Sequence, residues 1–384
     1  MAVLNAWQKI DRVITGLPFG NGSDGAYSSA TIPTLTKDSC SGSSSSTTLT
    51  TAGSTFANGD VLLIHQSRGT GVGQWEINKV TSGGGTTTLT LQTALQYTYT
   101  DSGASQAQAI KIPQYSSVTV QSGSWTVPTW DGNTGGIIPI ACSGTFTVTG
   151  TIAANAKGYV GPPAISSANV HTSAQGEGDV GAGGNFSVAA NGTGGGGSFF
   201  SNDGVPAAGG GHATVGGDGF GGSQPSIHGG VASDSADLLN MVFGGAGGDG
   251  NTRADAGTSG KGGNSGGIVL LMVSNLSVAG GITVAGENGG NDGNGTQGGG
   301  GAGSGGSILV ACATATLGSG LLVGTGGTGG TGNNGSGGNG GTGRISIHHS
   351  GAVTGTSSPS FDDTTDAALI VATSGGAAFL EAFV

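Results

Sequence analysis

The chain has 384 residues, of which 86 are glycine and only 10 proline, with 5% aromatic and 8% charged side chains. Collagen, which needs a strict G-X-Y period and abundant proline, is excluded, and charge-rich disorder does not match so little charge. The formal net charge of −11, with its 10 basic residues scattered, excludes a nucleic-acid partner, whose phosphates need clustered Lys and Arg.

In chain order, the first predicted element is a short amphipathic helix within residues 1–20, an attachment segment. Leu4, Trp7, Ile10, Val13, Ile14 and Leu17 follow i, i+3, i+4 spacing, and Gly16 stands near its end. No basic n-region precedes an apolar core there, so no export signal is expected. No apolar run reaches the ~18 residues of a transmembrane helix. Residues 21–134 are expected to form an antiparallel β-domain. Alternating Val, Ile, Leu and Thr place strands at 44–52, 60–66, 75–81, 86–93, 107–112 and 116–121, and a further one at 145–149. Asn58-Gly59 and Ser82-Gly83-Gly84-Gly85 read as turns.

Residues 135–355 read as a glycine-rich β-repeat domain. GGIIPIACSG from Gly135, GGIVLLMVSN from Gly266 and GGSILVACAT from Gly305 align on their leading Gly-Gly, and a truncated GRISIHHSG follows from Gly343. Ile268 and Ile308 lie 40 residues apart, and Ile308 and Ile345 lie 37 apart. Such periods signal stacked units. Position eight of the three full units is Cys142, Val273 and Cys312, predicted to stack as small core residues. Three cysteines without C-x-x-C spacing make neither a zinc site nor a disulfide framework. An insertion at 161–265 interrupts the repeat; within it a short helix is expected from Asp234 to Phe243, capped by Ser233. Residues 356–384 form a C-terminal segment.

From Gly324 to Gly343 the sequence GTGGTGGTGNNGSGGNGGTG repeats Gly-Gly-X. Nothing in it buries a side chain, so it is either a flexible tail or a bundle of three-residue helices of the polyproline II type. In such a bundle the outward-facing amides pair between neighbours. The predicted fold class is all-β: the N-terminal antiparallel domain, then a glycine-rich β-solenoid or polyglycine II bundle, with one short N-terminal helix.

No nucleophile elbow, H-E-x-x-H, Walker loop or kinase set occurs, and no cofactor or metal site is expected. Gly244-Gly245-Ala246-Gly247-Gly248-Asp249 begins like a calcium β-roll nonapeptide. Asn251 stands where an apolar residue is required, and no tandem copy follows. Candidate carboxylate pairs for glycan cleavage are Glu177 with Asp179, Asp203, Asp234 with Asp237, and Asp362 with Asp363. They read as turn formers and solvated surface, and the chain as not an enzyme. His348 and His349 end an alternating strand and point to opposite sides. The rings of Tyr159, Phe186, Phe199, Phe200, Phe220 and His228, with Asp203, are the predicted receptor-binding surface. Exposed aromatics on a stiff backbone suit sugar rings and protein surfaces.

The tracts GENGGNDGNGTQGGGGAGSGG, Gly286 to Gly306, and Gly324 to Gly343 resemble the polyglycine-sandwich adhesins at the tail-fibre tips of T-even-like phages. The resemblance covers roughly the second half of the chain. It implies a rigid lattice of glycine helices whose distal loops bind a host receptor. The interleaved strand repeats and the large N-terminal β-region depart from that pattern. The function expected is that of a structural and adhesive virion protein, a subunit of a phage tail fibre or tip and a homotrimer. Its expected partners are other tail subunits, met through the N-terminal region, and a host surface glycan or outer-membrane protein, without membrane insertion. The alternatives are a secreted bacterial or archaeal surface-filament subunit and a tailspike glycan hydrolase. Deleting 195–230 is expected to spare the fold and abolish cell binding.

Overall fold

A computed structural model describes residues 18–165, 173–185, 187–197, 204–220, 226–251, 257–292, 298–333, 335–367 and 369. The expected N-terminal helix lies outside them. Among the described residues every regular element is a β-strand, and no helix is long and apolar enough to cross a membrane.

Strands Ile137–Val148, Ile268–Val278, Ser307–Val323 and Arg344–His349 lie side by side in parallel. Their register puts Ile137, Ile268, Ser307 and Arg344 in one row and Cys142, Val273, Cys312 and His349 in another. These are the rows that alignment on the leading Gly-Gly predicts. The second and third units are spaced by 39 residues rather than 40, because Val269, not Ile268, stands beside Ile308. Hydrophobic runs such as IVLLMV are needed because both sheet faces are buried, as in other parallel sheets. Ser307–Val323 pairs at its start with Ile268–Val278 and at its end with Gly281–Thr283. The sheet thereby bends back over one apolar face, which Ile138, Val269, Ile308 and Ile345 share with Trp125, Ile152 and Ile282. The two stacked cysteines are buried there as plain hydrophobes.

The other face carries Ile137, Leu270, Met272 and Leu309, and packs on Leu63, Trp75 and Ile110 of a closed barrel. That barrel runs Lys37–Ser41, Thr48–Thr51, Thr88–Leu91, Trp75–Ser82, Val61–Arg68 and Gln106–Lys111, antiparallel throughout. Gln106–Lys111 closes it by pairing with both Lys37–Ser41 and Val61–Arg68, which leaves no edge for later strands. Gln114–Tyr115, Ser117–Val120 and Ser124–Trp125 therefore join the parallel sheet instead, and Ala26–Ser29, which precedes the barrel in the chain, pairs there with Ser117–Val120. Antiparallel pairing thus ends with Gln106–Lys111 and parallel pairing resumes at Gln114–Tyr115, within the expected 21–134 span.

The helix expected from Asp234 to Phe243 is absent; the segment is irregular, with positive φ at Asp234 (60°) and Leu238 (54°). Its carbonyls serve other elements. Leu238 accepts from the Trp75 indole at 3.2 Å, Met241 from His65 at 2.6 Å, Val242 from Ser307 at 2.8 Å and Asp237 from His348 at 3.0 Å. A helix over 234–243 would consume the carbonyls of Asp237 and Leu238 internally, since only its last four are left without a partner.

The glycine tracts form a hydrogen-bonded lattice with a strict period of three, seen most completely at 298–306. Amides 298, 301 and 304 donate to carbonyls 251, 248 and 245; amides 299, 302 and 305 donate to 335, 338 and 341; amides 300, 303 and 306 donate to 290, 287 and 284. The carbonyls complete the pattern. Those of 298, 301 and 304 accept from 260, 263 and 266, those of 299 and 302 from 207 and 210, and those of 300 and 303 from 330 and 327. One segment is thus surrounded by six others, and each of its nine amides is paired. A backbone with three residues per turn points its amides in three directions, which is what this partition requires. The close approach admits almost no side chain: a Cβ on Gly301 would lie 1.8 Å from the Ala208 oxygen. Residues 195 and 207–217 belong to this lattice. Deleting 195–230 would remove part of the scaffold, contrary to the expectation from sequence.

Candidate functional site

Within the insertion, Gly219 and Ile227 exchange backbone hydrogen bonds of 2.9 and 3.2 Å, a single antiparallel bridge that makes a short ribbon of the two segments. Residues directly opposite share a side of such a ribbon and neighbours alternate. Burial follows that rule: Gly219 and Ile227 are buried, whereas Asp218, Phe220, Ser226 and His228 are exposed. Ile227 anchors the ribbon against Val205 and Ala208 of the lattice. The strand of Phe220 bridges to Ser336, and the Gly229 amide donates to Asp218 Oδ1 at 2.9 Å. The outward face thus gathers a carboxylate, a phenyl ring 70% exposed, a hydroxyl and an imidazole on a tethered backbone. It has the means to grip a surface: flat apolar area with hydrogen-bonding groups around it.

Of the predicted receptor-binding residues, Phe220 and His228 meet on this ribbon. Phe186, Phe199, Phe200 and Asp203 lie outside the described residues. Tyr159 is not a surface residue at all. It is fully buried, stacked edge-on to Phe243 at 5.2 Å and Trp130 at 6.5 Å, and its hydroxyl donates to the Ser67 carbonyl at 2.5 Å. A tyrosine hydroxyl needs such a partner when buried. Tyr159 therefore joins the barrel to the insertion.

The described carboxylates of the candidate pairs are engaged separately. Glu177 accepts from Arg68, from the Trp130 indole at 2.9 Å and from the Val160 amide at 3.0 Å. Asp179 accepts from the Thr193 amide at 2.9 Å. Asp234 is buried between Arg344 and His212, whose Nε2 lies 2.8 Å from Oδ2 and whose Nδ1 donates to the Gly305 carbonyl at 2.7 Å. Asp237 accepts from Ser235 and the Leu239 amide, and Asp363 faces His349 at 2.7 Å. His348 and His349 fall on opposite sheet faces, both buried within the chain. Among the described residues no three His, Cys, Asp or Glu side chains converge as metal ligands.

These ion clusters were illegible in the sequence, since Arg68 and Glu177, or His212 and Arg344, are remote in the chain and belong to no spacing motif. The ribbon had a local signal in Asp-Gly-Phe and Ser-Ile-His flanking a stretch whose sequence contains Gly and Pro.

Asp249, the last residue of the incomplete calcium-like motif, is 1% exposed and accepts from the Ala174 amide. Burial pushes its carboxyl up from 3.8 to about 8, against the pull of that amide. The fold therefore favours the protonated acid. This group's contribution to stability is greatest below about pH 4 and declines as pH rises towards about 8. Asp249→Asn retains an acceptor for Ala174 without the charge. It is expected to raise stability at pH 8 by on the order of 5 kcal/mol and leave it nearly unchanged at pH 4. Denaturant unfolding at the two pH values checks this, and an equal effect at both contradicts a buried charge.

No family model matches the sequence, and no curated protein matches it. Among solved structures the chain is similar to the Gp54 tailspike of Acinetobacter baumannii bacteriophage AP22, determined in complex with A. baumannii capsular saccharide. The identity is 11% and the TM-score 0.20, over 89% of this chain and 57% of the tailspike. The chain thus spans little more than half of that protein's length, and so loose a superposition establishes neither a shared fold nor a shared activity.

Proposed function

We propose that this chain is a structural and adhesive virion protein, a phage tail fibre or tip subunit that grips a host cell-surface receptor with its ribbon. The observation that carries the reading is the lattice at 298–306, in which every amide is paired inside one chain. In this reading the tracts are a polyglycine II bundle and the parallel strands a β-solenoid, together forming a stiff body that holds Phe220 and His228 in place. A preformed surface loses little entropy on binding. The receptor is a surface glycan or an outer-membrane protein, the assembly a homotrimer joined to other tail subunits through the N-terminal region, and the location the virion tail. The separate engagement of the carboxylates supports adhesion without catalysis.

The test is binding of fluorescently labelled protein to bacteria from the source culture. Phe220→Ala with His228→Ala is expected to weaken it roughly tenfold or more, as loss of an interface anchor does, at unchanged thermal unfolding. Undiminished binding by the double variant contradicts the ribbon's role.

A further inference from the structure

A cleft of about 370 Å3, lined by none of the ribbon residues, lies where the barrel strand ending at Arg68, the loop after Trp130 and the start of the insertion meet. One wall is apolar: Val160, 40% exposed, with Pro162 and Pro163. The other is polar and incompletely satisfied. Arg68 donates from Nε to the Ala104 carbonyl at 3.0 Å and from Nη1 to Glu177, while no described residue meets its Nη2. Asp131 Oδ1 accepts from the amides of Asn133 and Thr134 at 2.9 and 2.8 Å. Among the described residues its Oδ2 meets only the Thr134 hydroxyl, at 3.5 Å, too far for a strong hydrogen bond.

Among the described residues the cleft therefore offers one donor without a partner, one nearly free acceptor and an apolar wall. Its single guanidinium is already paired with Glu177 and is set against two carboxylates, so an anionic ligand is disfavoured. Groups that donate and accept beside an apolar face are what a sugar ring presents. We propose that this cleft binds a neutral saccharide unit. One hydroxyl accepts from Arg68 Nη2, another donates to Asp131 Oδ2, and the C–H face of the ring lies on Val160 and the prolines. The site holds the sugar without cleaving it, because glycosidic cleavage needs one carboxyl as a proton donor. Glu177 acts only as an acceptor in its three bonds. For Asp131, burial opposes ionisation, but the amides of Thr134 and Asn133 and the charge of Lys37 outweigh it and hold the carboxyl below its usual range.

The site is independent of the ribbon and is tested separately. Saturation-transfer NMR on the full chain would use glucose, galactose and N-acetylglucosamine as probes, with glucuronate as the acidic counter-probe. At least one neutral sugar is expected to bind saturably. Asp131→Ala and Val160→Lys, each checked for unchanged unfolding, are expected to weaken it roughly tenfold, the first by loss of a hydrogen bond to a charged group and the second by loss of the apolar wall. Phe220→Ala should leave it unaltered. No saturable binding of any neutral sugar, binding that both cleft variants retain, or a preference for glucuronate would each overturn the assignment. Loss of cell adhesion in the ribbon variants would leave these results untouched, so the two sites fail separately.

Discussion

Gly301→Val is expected to abolish the native fold, at a cost of about 4 kcal/mol or more, the range reserved for overpacking without relief. Gly301 lies in the segment that has lattice neighbours on every side, and its added Cβ would stand 1.8 Å from the Ala208 oxygen and 2.4 Å from the Ala208 carbonyl carbon. The obstruction is backbone, which cannot swing aside as a side-chain end can. Moving it would break the bonds by which Ala208 and Gly248 connect to the surrounding segments. Glycine identity alone is not the cause: Gly181, with nothing within 4 Å of its added Cβ, is expected to accept alanine within ~0.5 kcal/mol, as surface positions do. Denaturant unfolding followed by circular dichroism compares the two. Equal tolerance at both positions would mean that the tracts are not packed against one another.

Asp234→Ala is expected to cost 3–5 kcal/mol, roughly the loss seen when one member of a buried ion cluster is removed. Asp234 and His212 are fully buried, and the cluster ties three parts of the fold: the lattice through Gly305, the irregular 234–243 segment, and the parallel sheet through Arg344. Removing the carboxylate leaves a guanidinium and an imidazole facing each other without compensation. Asp234 also has a φ of 60°, a conformation that asparagine tolerates. Asp234→Asn therefore separates the causes. Retention of most stability in Asp234→Asn would assign the loss in Asp234→Ala to backbone conformation, whereas a loss close to that of Asp234→Ala assigns it to charge. Thermal and denaturant unfolding of both variants decides.

The parts of the fold that were legible in the sequence are those with a period. Cys142, Val273 and Cys312 could be aligned because a two-faced buried strand must be apolar at every position, and a leading Gly-Gly sets its start. Of the barrel strands, Thr48–Thr51 and Thr88–Leu91 showed because Leu alternates with Thr along them, whereas Lys37–Ser41, a polar KDSCS run, gave no such signal. What escaped was set by contacts between remote segments. The apolar residues of 234–243 fit a helix, yet the carbonyls of Asp237 and Leu238, which a helix would use internally, are claimed by His348 and Trp75. Tyr159, adjacent to a glycine-rich insertion, looked like surface but fills a junction whose other rings, Trp130 and Phe243, are distant in sequence. Phe220 and His228 kept their surface position because each alternates with a buried neighbour, Gly219 or Ile227, on a short ribbon.

The measurement that most directly tests the account is amide hydrogen exchange, resolved to residues 298–306, on the full chain in its native state. The lattice requires these nine amides, paired to three different segments, to be as protected as the strand amides of Ile268–Val278, despite having almost no side chains to bury. Protection shared by both regions and lost together in denaturant would show one cooperative scaffold, as proposed. Exchange of 298–306 at the rate of an unstructured peptide, with Ile268–Val278 still protected, would show a glycine coil tethered to a β-fold and would contradict it.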